Sequence, residues 1–124
     1  MFTFKKTERL CSKKDIELLY NKGKHKTNTP LKLYWRNNAH NSSYPARILI
    51  NVPKRLFKKA PDRNRIKRQI REVYRLNKHH LYEQLTDKNQ KIDISILYIS
   101  KEFPNTTSIK SSLLTLFNEI KVKG

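Results

Sequence analysis

The chain has 124 residues, a length typical of one domain and too short for two ordinary hydrophobic cores. Its 28 Lys and Arg against 10 Asp and Glu give a formal net charge of +18, which argues against a neutral metabolic enzyme and predicts a polyanionic partner. The only cysteine, Cys11, excludes an internal disulfide and a zinc site built from cysteines. We therefore expect residues 1–124 to form a single domain.

No part of the sequence predicts a membrane segment. The most apolar runs, residues 48–52 and 94–99, have the length of strands and are far shorter than the roughly 20 residues of a spanning helix. The first nine residues carry charges and lack the apolar stretch of a secretion signal. We therefore expect a cytoplasmic protein with no membrane partner.

A first helix is predicted from about residue 13 to residue 22. Ser12 and Asp15 have the spacing of a helix start, in which the serine oxygen accepts a hydrogen bond from a free backbone amide. Gly23 is expected to end the helix in the left-handed conformation. The helix has one apolar face, formed by Ile16, Leu19 and Tyr20.

Three segments have the alternating pattern of strands. Residues 31–36 and 47–52 are separated by a polar stretch, so we expect neighbouring antiparallel strands. Residues 92–99 alternate at first and then become apolar on both faces, which is typical of a central strand. Pro104 ends this segment.

A last amphipathic helix follows the capping candidates Thr106, Thr107 and Ser108. Its apolar residues recur with the period of a helix, at Ile109, Leu113, Leu116, Phe117 and Ile120. With the helix described next, the element order becomes α-β-β-(β)-α-β-α. This order predicts an α+β fold, an α/β sandwich.

The segment of residues 54–79 carries half of the net charge, with eleven Lys and Arg against Asp62 and Glu72. Asp62, directly after Pro61, is a candidate N-cap, so a helix is predicted from about Arg63 to residue 81 or 82. At about 100° per residue, one arc of this helix is apolar and faces the core. That arc contains Ile66, Ile70, Val73, Tyr74, Asn77 and Leu81.

The opposite arc of the same helix is cationic. It contains Asn64, Arg65, Lys67, Arg68, Arg71, Arg75, Lys78 and His79. A charged face that serves only solubility usually interleaves acids, whereas stacked arginines repel one another unless an anion neutralises them. Arginine suits phosphates and bases, and no helix-turn-helix partner precedes the segment, so RNA is favoured over DNA.

Residues 63–72, RNRIKRQIRE, closely resemble the RNR signature of the protein subunit of bacterial ribonuclease P. The resemblance extends to residues 4–10 and 14–24 and to the strand end at 52–55, and length and element order agree along nearly the whole chain. It implies a mixed sheet with a basic central helix and a left-handed crossover, an exception to the usual rule.

The resemblance also implies a function. The protein would bind a catalytic RNA through the RNR helix, and the 5′ leader of precursor tRNA in a cleft between the first helix and the open sheet face. The RNA, with magnesium ions that it mainly binds itself, would hydrolyse the phosphodiester and leave the mature tRNA 5′ end. The protein would supply no catalytic residue and no metal site, and it would need no obligate protein partner.

The resemblance places two sets of binding residues on this sequence. Those expected to contact the catalytic RNA are Arg63, Asn64, Arg65, Lys67, Arg68 and Arg71 on the RNR positions, together with Arg75 of the cationic arc. Those expected to contact the leader are Ile16, Tyr20, Lys54, Arg55 and Lys101. The chain departs from the family at Ile16, usually Phe, at Pro61, usually a small aliphatic residue, and at residues 56–59, often a glycine-bearing loop.

Other interpretations compete with this one. Ile16 and Tyr20 would also serve ordinary packing of a helix on a sheet, and Tyr34 and Arg36 are weaker candidates for RNA contact. A metal site at His79, His80 and Glu83 is disfavoured because adjacent histidines point about 100° apart on a helix. The main alternative is a structural RNA-binding protein, such as a ribosomal protein, and a DNA-binding regulator is a third.

Overall fold

The computed structural model describes residues 8–40 and 42–120. In chain order these residues form α1 (Lys13–Lys22), β1 (Lys24–Asn28), β2 (Leu31–Asn37), β3 (Ala46–Asn51), α2 (Ala60–Asn77), α3 (His79–Asp87), β4 (Ile92–Tyr98) and α4 (Thr106–Phe117). Residues 4–7, which carry part of the family resemblance, lie outside the described residues. No helix within the described ranges is long and apolar enough to span a membrane.

The strands form one mixed sheet in the order β1-β2-β4-β3. β4 pairs antiparallel with β2 and parallel with β3, which confirms the predicted mixed sheet and central strand. The predicted direct pairing of β2 with β3 is wrong, because β4 lies between them. Alternation indicates which face each residue occupies but not which strand is its neighbour.

The connection between the parallel strands β3 and β4 passes through α2 and α3. It therefore contains the basic helix, as the resemblance implies. The left hand of this crossover stays a prediction.

β1 is an edge strand. The predicted element order included an optional third strand before the basic helix, but its position was not predicted. Its residues KHKTN are exposed apart from the half-buried Asn28, so they lack the apolar alternation that marks a half-buried strand. The strand forms because all five residues pair with β2, from Lys24 opposite Trp35 to Asn28 opposite Leu31.

The hydrophobic core lies between one face of the sheet and the helices α2, α3 and α4. The sheet contributes Leu31, Leu33 and Trp35 of β2 and the even-numbered residues of β4, all buried. The helices contribute Ile66, Ile70, Val73, Tyr74, Leu81, Leu85, Ile109, Leu113, Leu116 and Phe117. The helix α1 packs against the opposite face, on β2 and β4.

The bounds of α1 are as predicted, and Ser12 Oγ accepts a hydrogen bond of 3.3 Å from the Asp15 amide. The predicted left-handed conformation of Gly23 is wrong, because its φ is −74° and its ψ 159°. Glycine is required there for space. A Cβ at Gly23 would lie 2.3 Å from the Leu19 carbonyl oxygen and 3.0 Å from that of Trp35.

The basic helix begins three residues earlier than predicted, at Ala60. Its N-cap is Lys59, which makes no side-chain capping bond, so the prediction that Asp62 is the N-cap is wrong. Pro61 lies inside the first turn, where its missing N–H costs nothing and its fixed φ suits the helix. The helix ends at Asn77, and after Lys78 the separate helix α3 continues to Asp87.

The predicted caps of the last helix are also displaced. Asn105, and not Thr106, Thr107 or Ser108, is the N-cap, and its side-chain oxygen accepts a 2.7 Å hydrogen bond from the Ser108 amide. The amphipathic pattern itself is confirmed, and Ile120 remains buried beyond the end of α4.

Candidate nucleic-acid interface

Helix α2 carries the predicted separation of apolar and cationic residues. Its buried side is formed by Ile66, Ile70, Val73 and Tyr74, as the helical wheel predicts. The residues predicted to bind the catalytic RNA lie outside this buried stripe, and we call them the α2 cationic face: Arg63, Asn64, Arg65, Lys67, Arg68, Arg71 and Arg75. Asn64, Arg65 and Arg68 are exposed and the other four are half-buried.

The two ends of the α2 cationic face bond to the protein itself. Arg63 Nη1 donates to the carbonyl oxygens of Phe57 at 2.8 Å and Lys58 at 2.9 Å, so this arginine holds the preceding loop against the helix. Arg75 forms an ion pair with Glu72, and the pKa of that carboxyl is lowered because it accepts hydrogen bonds from Arg75.

Lys78 does not belong to this face, contrary to the prediction from the helical wheel. Its side chain is buried, and its Nζ lies 2.6 Å from Oε2 of the buried Glu8. The helical wheel placed Lys78 wrongly because it assumed one continuous helix. The helix is interrupted at Lys78, so the angular spacing of α2 does not extend to this residue.

The middle of the α2 cationic face continues onto the N-terminal segment. Arg9 makes a parallel bridge to Ile48 of β3, and the Leu10 amide donates a 2.9 Å hydrogen bond to the Ile48 carbonyl oxygen. A depression of about 200 Å³ consequently lies at the edge of β3, and its lining includes Arg9, Cys11, Lys67 and Arg71. Arg9 is therefore an interface candidate that no single-helix pattern could have identified.

On the opposite face of the sheet, Tyr20 of α1 contacts β2 and β4, and we call the surface formed by Ile16, Tyr20 and Tyr34 the α1 cleft. The Tyr20 hydroxyl and Ser95 Oγ form a hydrogen bond of 2.6 Å. The ring of Tyr20 meets that of Tyr34 edge to face, with 4.7 Å between centroids. Ile16, one turn earlier on α1, is half-buried. Tyr20 therefore packs on the sheet, and both Tyr20 and Ile16 keep part of their surface accessible.

A charged network attaches α1 to the sheet. Arg47 Nε lies 2.8 Å from the buried Asp93, and Arg47 Nη2 lies 2.9 Å from Asp15 at the start of α1. The hydrogen bond from Arg47 lowers the pKa of Asp15. Periodicity alone does not reveal this network, although an aspartate inside a largely apolar central strand was a signal for it.

The other predicted leader contacts share one end of the sheet. Lys54 and Arg55 lie in the turn after β3, and Lys101 lies in the loop after β4, all three exposed. Because β3 and β4 are adjacent and parallel, the two segments leave the sheet at the same end, where both strands have their carboxyl ends. This end also receives the first turns of α2, since Arg65 lies near Phe103 of the loop after β4.

The carboxylates offer no ligand set for a metal. Among residues 8–40 and 42–120, no three His, Cys, Asp or Glu side chains come close enough to hold an ion. His80 Nε2 instead lies 3.3 Å from the side-chain nitrogen of Gln84.

Comparisons with known proteins agree with this arrangement. The family model described as Ribonuclease P matches residues 4–121. The ribonuclease P protein component of Porphyromonas gingivalis is 33% identical over 113 residues, which cover 90% of this chain and 82% of that protein.

Two solved structures are similar in fold. The Staphylococcus aureus RNase P protein superposes with a TM-score of 0.71 at 28% identity, covering 90% of this chain and 94% of that one. The Thermotoga maritima RNase P protein gives a TM-score of 0.70 at 25% identity and covers 92% and 98% of the two chains.

Proposed function

The chain belongs to the ribonuclease P protein family, and on this premise we propose that it binds ribonuclease P RNA through the α2 cationic face and precursor tRNA through the α1 cleft. The family assigns the chain to a ribonucleoprotein endoribonuclease that processes tRNA.

One observation carries the proposal for the catalytic RNA. The helix α2 is anchored by a completely buried apolar side, while its other side holds six Lys and Arg with Glu72 as the only acid beyond the first turn. Mutual repulsion of these cations is relieved when phosphates neutralise them, and guanidinium groups can contact phosphates in pairs. Arg9 extends the same surface across the edge of β3.

The proposal for the leader rests on aromatic residues next to cations. Tyr20 and Tyr34 offer partly accessible rings beside α1, and unpaired bases stack on such rings. Lys54, Arg55 and Lys101 supply charges for the leader backbone at one end of the sheet. Ile16 adds apolar contact without stacking, because it lacks a ring.

The chemistry is proposed to belong to the RNA. Four of the described carboxylates, those of Glu8, Asp15, Glu72 and Asp93, bond to Lys or Arg, and among the described residues no three His, Cys, Asp or Glu side chains lie close enough to hold a metal ion. We therefore assign magnesium to the RNA and give the protein the task of binding and orienting the two RNAs. We also assign the protein to the cytoplasm, with no obligate protein partner.

Reconstitution tests the proposal. Purified protein is added to a bacterial ribonuclease P RNA, and removal of the 5′ leader from precursor tRNA is followed at low magnesium, where phosphate repulsion makes a cationic protein most effective. We expect cleavage only when both components are present.

The controls separate the alternatives. Protein that binds RNA tightly without stimulating cleavage would favour the structural RNA-binding protein. Cleavage by protein alone would contradict the assignment of the chemistry to the RNA.

A further inference from the structure

Phe103 is an exposed aromatic ring with no role in either proposed surface. It lies in the loop between β4 and α4, and 51% of its surface is accessible. A large apolar side chain exposed to this extent is unremarkable when isolated. Phe103 is not isolated, because its ring contacts the ring of Phe57 and the guanidinium of Arg65.

The ring rests on the hydrophobic core. Phe57, itself 6% exposed, lies with its ring centroid 5.0 Å from that of Phe103 and 5.9 Å from that of Tyr98. Phe57 lies between β3 and α2 and belongs to the hydrophobic core, so a side chain of the core supports the ring of Phe103.

The backbone on both sides of Phe103 is also held. The Tyr98 hydroxyl donates to the Glu102 carbonyl oxygen, and the Glu102 amide donates to Ser100 Oγ at 3.1 Å. On the other side, Gln69 Nε2 of α2 lies 3.4 Å from the Pro104 carbonyl oxygen. A ring ordered before binding loses little conformational entropy when a partner stacks on it.

A cation completes the site. The guanidinium carbon of Arg65, on the α2 cationic face, lies 5.6 Å from the centre of the Phe103 ring. Lys101 is two residues earlier in the same exposed loop. An accessible ring with positive charge beside it complements a nucleotide, which has a planar base and an anionic phosphate.

Building on the proposed function, we propose that Phe103 is a stacking site for an unpaired base of RNA, and that Arg65 binds the phosphate of the same or the next nucleotide. The base comes either from the precursor leader or from an unpaired segment of the catalytic RNA, since Phe103 lies between Lys101 and the α2 cationic face. Because every base has a π-face, the site tolerates any sequence.

The test uses the reconstituted ribonucleoprotein and the variant Phe103→Ala. Leu76→Ala is the matched control, because Leu76 is exposed to a similar extent, 48%, on α2. Dissociation constants are measured for the protein with catalytic RNA, and for the ribonucleoprotein with precursor tRNA and with mature tRNA. Loss of one stacked base should weaken one of these complexes by about fivefold or more.

The pattern of loss identifies the source of the base. A loss restricted to precursor tRNA, with mature tRNA unaffected, assigns the base to the leader. A loss of affinity for catalytic RNA assigns the stacked base to that RNA. Phe103→Ala should leave the dependence of affinity on salt unchanged, whereas Arg65→Ala should reduce its slope by about one phosphate contact.

Two further variants separate stacking from folding. Phe103→Trp retains a π-face and should bind like the unaltered protein, whereas Phe103→Leu retains apolar bulk and should bind like Phe103→Ala. The inference would be overturned if Phe103→Leu bound RNA as tightly as the unaltered protein. It would also be overturned if Phe103→Ala lost no affinity for either catalytic RNA or precursor tRNA. If the unaltered protein stimulates cleavage in the same experiments, the proposed function stands regardless.

Discussion

Lys78 and Glu8, 70 residues apart in the chain, form an ion pair inside the protein, with 2.6 Å between Nζ and Oε2. The hydroxyl of Tyr82 donates to the same carboxylate oxygen at 2.7 Å, and the hydroxyls of Tyr74 and Tyr82 are 2.7 Å apart. Burial raises the pKa of both tyrosines, so they stay protonated and can act as donors. The pair joins the segment before α1 to the junction of α2 and α3.

Replacing one partner of this pair should be more harmful than replacing both. Lys78→Met removes the ammonium group that pairs with the buried Glu8 carboxylate, and loss of one partner of a buried pair typically lowers the free energy of unfolding by about 3–5 kcal/mol. The double variant Glu8→Leu with Lys78→Met removes both charges of this pair, so much of that loss should be recovered. Urea denaturation measures both. A double variant that is less stable than Lys78→Met would contradict this account.

Arg68→Ala should weaken binding to the catalytic RNA without unfolding the protein, because Arg68 is exposed on the α2 cationic face. The slope of log K against log salt should fall by about 0.7–0.9, the value for one phosphate contact. Lys88→Ala, which removes the same charge from the exposed end of α3, is the control and should change affinity little. Equal losses for the two variants would show that only net charge matters.

Tyr20→Ala should weaken binding of precursor tRNA to the ribonucleoprotein by about fivefold or more, the minimum expected for one stacked base, and leave mature tRNA unaffected. Tyr20→Phe keeps the ring and loses only the 2.6 Å hydrogen bond to Ser95, so it should retain most of the discrimination. Equal weakening for precursor and mature tRNA would exclude leader contact at this position.

Gly23→Ala should destabilise the protein, because the new methyl group would lie 2.3 Å from the Leu19 carbonyl oxygen. Overpacking of this kind typically costs about 1–3 kcal/mol. Gly23→Asn is the informative comparison, since asparagine tolerates the left-handed conformation and would rescue a glycine needed for that reason. We expect asparagine to be no better than alanine in thermal unfolding.

His40 should make the protein less stable as the pH falls. Its Nδ1 accepts a hydrogen bond from the Ser42 amide at 3.3 Å, and its Nε2 donates to the Ile92 carbonyl oxygen at 3.2 Å, a pattern that requires the neutral ring. Burial lowers the pKa of His40 in the folded protein, so below about pH 6.5 the unfolded chain binds more protons and the free energy of unfolding decreases.

Denaturation with urea at about pH 7 and pH 5, on either side of the histidine pKa in the unfolded chain, measures this decrease. In His40→Gln, the free energy of unfolding should differ less between the two pH values than in the unaltered protein. The exposed His79→Gln should keep the full difference. An unchanged difference in His40→Gln would assign the acid sensitivity to other groups.

Much of the structure was predictable because it depends on short-range periodicity. The alternation in β2 and β4 and the 3.6-residue period of α2 and α4 predicted the buried faces, which the structure confirms. The RNR resemblance predicted the family, which the comparisons confirm. The net charge of +18 predicted a polyanionic partner before any element was located.

Only the tertiary structure decided which residues meet across long distances in the chain. The insertion of β4 between β2 and β3, the bridge of Arg47 to Asp15 and Asp93, and the burial of Lys78 on Glu8 all depend on contacts between distant segments. Periodicity describes one element at a time, whereas pairing and charge burial depend on what the neighbouring element supplies. For the same reason, the sequence determined the cationic character of α2, and the fold determined that Arg9 and Phe103 lie beside it.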